Sequence, residues 1–542
     1  MSDLRDLEGQ INTMVIRSIQ GQMGEKSERI SQPRVLRKLL TKEIIMNLFN
    51  EYKRRGAPSW QDIDTDGLCN EVRDNSIIIL TMLIYFGMGR TIIAFKNDSL
   101  SDEKLPLLTS TTDDEHHYFE KQPDTRPTCF EDGAWRDYMT DMMLRMQWKL
   151  DVPYLEMGSN LVPNHIDFRS DVVLPWCKPP DSASQSTTQI EKDPPSEPLQ
   201  GGGGYSDVER VHIHGDYHGF DGILDMIGLK ACANNYFALK TLKAAGNKDL
   251  ENMYQNEMKQ LRNFNGTVSR HLVTLLTTFT HRGTRNFLFP WATCDLVSYW
   301  ETQQTQPWSL ENARWFSKQL VGIAGAVQAI HHPPHLPGQY GRHGDLKPDN
   351  ILWYKQCEDD PNGILVVSDM GFTVAHRTYS RSKDAAYNTA RTPSYYPPEI
   401  DNAGGTISSK YDVWTLGCVF LEMVTWFLGG KEELSQFVGN RKLDISAPYG
   451  ARTATFFTRN LLEESEANIK KSVFNQMENI RKHKYQSQFT DDVIKIIEHG
   501  MMLVDPSKRA KMKELQEEFT AIDKKCKVDP NYCTTRSRPD DV

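Results

Sequence analysis

Residues 341–354 read GRHGDLKPDNILWY, and no other stretch limits the possible folds as sharply. A His, two Asp, a Lys and an Asn crowd into a few positions, and the chain then turns apolar at ILWY. A fold that carries this segment must hold several ionisable groups together where an apolar segment begins. Gly344, between His343 and Asp345, leaves the middle of the cluster without a side chain.

The rest of the chain sets the bounds. At 542 residues it exceeds one compact core, and roughly two to four domains are expected. A net charge of −9 and no long Lys/Arg block give no footprint for nucleic acid. The nine cysteines are scattered without CxxC spacing, which reads as reduced thiols of an intracellular protein, cytoplasmic or nuclear. The amino terminus MSDLRDLEGQ is polar and acidic, so no signal peptide is expected there. The most apolar run, SIIILTMLIYFGM at 76–88, falls short of the roughly 20 residues a helix needs to span a bilayer. A buried core helix is expected there, and no membrane contact.

Apolar residues from Val35 to Tyr52 recur at helical spacing and predict one helix over 31–56, with Ser31 as cap and Gly56 as stop. Its basic face (Arg34, Arg37, Lys38, Lys42) suits either an acidic partner or solvent. A second helix is expected over 134–150, with a Met stripe packed in a core. Residues 178–198 are rich in Pro, Ser and Thr and read as a linker between domains. Beyond it, strand-type segments over about 205–290 give way to helical patterns over 308–520. That order predicts an α+β unit with a β-rich small lobe and a helical large lobe, preceded by a mostly helical N-terminal region.

The chemistry-bearing residues follow one order. Moving the γ-phosphoryl group of ATP to a hydroxyl requires held phosphates, charge offset by Mg2+, and an acceptor oxygen near a carboxylate. GGGGYSDV (201–208) offers Gly201 and Gly203 for close backbone approach to phosphate, with Val208 over the adenine, although the glycines also read as more linker. YFALKTLK supplies Lys240 for the phosphates, and Glu257 on a predicted helix would position it. Phe289 would form the pocket's back wall. The Pro290 carbonyl and the Ala292 N–H would meet the adenine edge. HGDLKPDN matches H-R-D-x-K-x-x-N except at Gly344. Asp345 is the expected catalytic base, Lys347 the γ-phosphate contact, and Asn350 and Asp369 the Mg2+ ligands. His343 is expected to be structural.

With these segments in register, the chain over about 199–520 resembles the eukaryotic protein kinase family of serine/threonine type. RTPSYYPPE (391–399), YDVWTLGCVF (411–420) and DPSKRA (505–510) resemble further motifs of that family. GRHGDLKPDNILW is similar to filamentous-fungal kinases with a helical region ahead of the catalytic domain. The resemblance implies a bilobal kinase fold, ATP and Mg2+ as cofactors, and protein substrates with Ser/Thr acceptors. It also implies that Asp412 braces the catalytic loop, that Met370 fills an apolar slot, and that Arg509 pairs with Glu399. Residues 1–177 form the helical region, open to a protein partner, and 521–542 a polar tail. Two alternatives stand beside transfer: a pseudokinase scaffold, and an interaction module centred on 1–177.

Overall fold

The computed structural model describes residues 7–14, 33–56, 58–109, 117–119, 127–130, 135, 137–177, 206–229, 235–242, 248–264, 267–305, 307, 309–334, 339–355, 357, 360–370, 374–376, 394–401, 408–444, 453–458 and 467–534. The apolar spacing from Val35 to Tyr52 forms two helices instead of the one expected, α1 (Pro33–Leu39) and α2 (Lys42–Arg54). Thr41 makes the break: its extended backbone (φ −64°, ψ 160°) frees the hydroxyl to cap α2 by accepting from Ile44 N–H at 3.4 Å. Gly56 ends the segment at φ +72°, while Ser31 lies outside the described residues.

The basic face of α1 and α2 is taken up within the chain. Arg37 donates to the Arg73 and Asp74 carbonyls at 2.8 and 2.7 Å, and Lys42 pairs with Asp66 at 2.7 Å. Lys38 pairs with Asp216, and Arg34 donates to the Tyr154 hydroxyl at 3.1 Å. After α3 (Thr65–Asn75), helix α4 (Ile77–Tyr85) has every residue from Ile77 to Ile84 buried, as expected of a core helix. Asp102 caps α4 through the Ile78 and Ile79 N–H groups at 3.0 and 3.1 Å; burial nonetheless pushes its carboxyl up to about 6. Helix α5 (Asp137–Leu150) adds Met143 and Leu150 to this core. Met142 is 41% exposed, so the Met stripe only partly packs.

The second core begins earlier than the linker suggests. A six-stranded sheet contains β1 (Asn164–Asp167), β2 (Trp176–Cys177), β3 (Ser206–Ile213), β4 (Tyr236–Leu242), β5 (Thr277–His281) and β6 (Thr284–Pro290). Its order is β1-β5-β6-β4-β3-β2. All pairs are antiparallel except β1 beside β5. Thus β1 and β2, expected in the helical N-terminal region, close the two edges of the small lobe. Segment 178–198 lies outside the described residues, but β2 and β3 on either side of it pair directly (Trp176 opposite Ile213). It therefore joins neighbouring strands of one sheet, not two domains. Composition shows that a segment has little to bury; it does not show where its ends are anchored.

The connection after β3 is also anchored. Tyr217, Phe220, Ile223 and Leu224 are buried, and Leu155 exchanges backbone hydrogen bonds with Tyr217 and Gly219, both 2.9 Å. Helix α6 (Lys248–Asn263) crosses the small lobe. In the large lobe, α7 (Leu310–His331) buries Phe316, Leu320, Ile323, Val327 and Ile330 along one face. Strands β7 (Ile351–Tyr354) and β8 (Ile364–Val367) pair antiparallel beneath the cleft. Helix α8 (Lys410–Leu443) is long and apolar enough to cross a membrane, but 89% of its most apolar window is buried inside the protein. Helix α9 (Met512–Val528) carries the chain past the expected start of the polar tail. Ile522, Cys526 and Cys533 are buried, and Arg314 holds the Cys526 and Lys527 carbonyls at 3.0 and 2.9 Å, so residues 521–534 belong to the large lobe.

Candidate active site

Alternation along β4 sends Phe237 and Leu239 into the small-lobe core and Lys240 to the cleft face. Glu257 meets it from α6, where Tyr254 and Leu261 are buried anchors one turn to either side. Lys240 Nζ lies 2.6 Å from Glu257 Oε1 and 3.7 Å from Asp369 Oδ1. Burial works to lower the Lys240 ammonium, but Glu257 and then Asp369 outweigh it and hold its pKa above the ordinary lysine value. Asp369 follows the fully buried β8 and takes φ +61°, a left-handed conformation that a short polar side chain tolerates. Met370 is fully buried, filling the apolar slot expected of it, and Gly371 lies outside the described residues.

The loop at 343–350 is tied to that carboxylate through Ser368. His343 is buried, accepts from the Asp345 N–H at Nδ1 (3.3 Å) and donates from Nε2 to the Ser368 carbonyl (2.8 Å). It is a structural residue, as expected. Ser368 N–H in turn donates to the Asn350 carbonyl at 2.8 Å. Asn350 Nδ2 donates to Asp345 Oδ2 at 3.0 Å and to its carbonyl at 2.8 Å, and Lys347 Nζ lies 2.9 Å from the same carboxylate. Asp345, Lys347 and Asn350 are thus one hydrogen-bonded group, and its backbone reaches the residue before Asp369.

Asp412 on α8 fixes the loop from below. It accepts from the His343 and Gly344 N–H groups at 2.7 and 2.9 Å, with His331 Nε2 at 2.8 Å. Burial pushes this carboxyl up, but His331 and then the loop donors pull it further down, so it stays ionised. Gly344 takes φ +85° to present its N–H to Asp412. Reading the sequence for lost side chains missed this backbone role; a glycine inside a dense polar cluster was the available signal.

The nucleotide-side residues are partly assembled. Val208 stands directly opposite Lys240 in register, so the two share the cleft face. Phe289 is half-buried opposite Ala238, stacked on Phe287 at 6.3 Å, and Ala292 is buried at the lobe junction. The Pro290 carbonyl accepts from the Tyr354 hydroxyl at 3.2 Å. Arg210, which sequence reasoning missed, shares the face of Val208 and lies 3.8 Å over the Tyr236 ring and 5.6 Å from Trp291. Gly201 and Gly203 lie outside the described residues.

The residues present fit a magnesium–nucleotide pair. Asp369 and Asn350 offer hard oxygen donors, and the Asn350 amide nitrogen is spent on Asp345, which leaves its oxygen for a cation. Two such donors suit an ion that keeps several waters and binds phosphate oxygens.

A family profile described as protein kinase domain matches residues 226–519, more than half of the chain. The chain belongs to the protein kinase family. Among its relatives, CBL-interacting protein kinase 5 of Oryza sativa subsp. japonica is 33% identical over 116 residues, 21% of this chain and 22% of that protein. CBL-interacting serine/threonine-protein kinase 20 of Arabidopsis thaliana is 35% identical over 121 residues, 22% of this chain and 24% of that protein. The chain thus spans about a quarter or less of these plant relatives' length. Its large lobe also carries the expected ion pair: Arg509 grips Glu399 with two bonds of 2.7 Å while lying 5.1 Å over the Trp414 ring. Half-buried Tyr395 donates to Glu422 at 2.8 Å, and Arg441 pairs with that carboxylate on the inside of the lobe.

Proposed function

We propose that the chain is an ATP-dependent serine/threonine protein kinase that transfers the γ-phosphoryl group of Mg-ATP to protein hydroxyls, with Asp345 as catalytic base. One observation carries this reading: Lys240, Glu257 and Asp369 form a single charge cluster, and Ser368 ties it to the loop of Asp345. Lys240, held by Glu257, would grip the phosphates. Asp369 and Asn350 would hold Mg2+, which when bound offsets phosphate charge. Asp345 would align an acceptor hydroxyl and take its proton, while Lys347 beside it would meet the γ-phosphate.

Lys347 two residues after Asp345 supports Ser/Thr acceptors; Thr392, the other position bearing on this, lies outside the described residues. The fungal affinity rests on the wording of 341–353. We assign the catalytic unit to residues 151–534, preceded by a helical unit open to a protein partner. An intracellular setting is supported by the seven cysteines whose side chains are described, all free thiols. The test is incubation of the full chain with Mg-ATP and a general protein substrate, followed by site mapping. Phosphoserine and phosphothreonine are expected, and phosphotyrosine alone would overturn the acceptor class.

A further inference from the structure

The role of the chain ahead of the catalytic unit emerges at α6, the helix that carries Glu257. Strand β1 adds to the outer edge of the small-lobe sheet, parallel to β5, with His165 opposite Thr278. From that edge the His165 ring reaches over to α6: Nδ1 is 3.0 Å from the Tyr254 hydroxyl and 3.0 Å from Thr278 Oγ1. The other nitrogen faces Asp167 at 3.3 Å and Thr280 at 3.4 Å. Two turns further along α6, Arg262 donates to the Pro163 carbonyl, immediately before β1, at 3.2 Å. The same short strand thus holds α6 at two points.

Tyr254 is the relay. It is buried, its ring lies 5.0 Å from Phe287, and Phe287 is directly opposite Lys240 in register. Glu257 is three residues on along the same helix face. Rotation or retreat of α6 would lengthen the 2.6 Å contact between Glu257 and Lys240 and weaken it. The sequence of this helix, KDLENMYQNEMKQLRN, is mostly polar, which makes an external hold consequential.

We propose that β1 is a built-in clamp on α6 and that His165 is a positioning residue for the Lys240–Glu257 pair. The proposal rests on the kinase reading, because the pair matters only where phosphates are to be gripped. The clamp is continuous with the helical unit: residues 151–163 run from α5 to β1, and Arg34 of α1 bonds Tyr154 along the way.

The test uses the full chain with His165→Leu, Tyr254→Phe, the double variant, and His165→Asn, which keeps a polar atom in place of Nδ1. Steady-state kinetics with Mg-ATP, melting temperature and amide hydrogen exchange across 248–263 are read together. We expect His165→Leu and Tyr254→Phe each to lower kcat/KM for ATP about tenfold, the worth of one hydrogen bond. The double variant should lose little more than either single one. His165→Asn should recover most of the rate, and exchange in α6 should quicken in His165→Leu and in Tyr254→Phe. Melting changes with kcat/KM and α6 exchange both unaltered would overturn the clamp. Should His165→Leu fail to fold, Tyr254→Phe, which loses only a hydroxyl, decides alone. If the wild type transfers no phosphate while α6 exchange still quickens in the variants, the clamp stands and the kinase reading falls.

Discussion

Gly344 shows how much can turn on one residue without a side chain. Its φ of +85° lets two consecutive N–H groups converge on Asp412, and an L-residue there costs roughly 1–2 kcal/mol. Gly344→Ala should lower the unfolding free energy by about 1 kcal/mol and slow transfer, checked by urea unfolding and initial rates. The side chains of this site were legible because their chemistry is written in order along the chain. The left-handed backbone at Gly344 and Asp369 was not, since neither spacing nor composition reports φ. His271 gives a second residue-scale expectation. Burial holds its pKa down to about 4, while its Nδ1 bonds the Leu365 carbonyl at 2.7 Å. In the unfolded chain it takes a proton near 6.5, so between about 6.5 and 4 the unfolded state binds more protons and stability falls with pH. This contribution is complete above 6.5 and amounts to about 3 kcal/mol across the window. His271→Gln should flatten that slope in thermal melts from pH 7.5 to 4.5.

At the scale of elements, existence was legible and extent was not. Helical periodicity survives a cap, so the pattern over 31–56 did not reveal that Thr41 divides it into α1 and α2. The buried run of α4 was read correctly, because a core helix carries its environment in its side chains. Contacts between elements leave no such trace. Gly322 on α7 lies against His271, and a Cβ there would stand 2.1 Å from the His271 Nε2. Gly322→Ala should therefore destabilise the protein by about 1–3 kcal/mol, although alanine is the better helix former. The midpoint of thermal unfolding checks the sign: a rise would mean that the ring moves aside freely.

For the whole molecule, the sequence distinguished two regions but misplaced the seam. One core gathers residues from Ile11 to Leu150; the other runs from Val152 to Cys533 and includes Val35 of α1. The Pro- and Ser-rich segment looked like the boundary because it buries little, whereas β1 and β2 before it complete the small-lobe sheet. Strand pairings between distant segments set this architecture, and β1 is too short and polar to announce its partner. What unites the proposed catalytic unit is the meeting of groups from both lobes: Lys240 and Glu257 above, Asp345 and Asp369 below. The most direct test of that convergence is the rate of phosphoryl transfer from Mg-ATP by purified Asp345→Asn, with nucleotide affinity measured on the same sample. Transfer should fall by roughly 10²–10⁴-fold while Mg-ATP still binds. Transfer at the wild-type rate would contradict the assignment of Asp345 and, with it, the single site built around it.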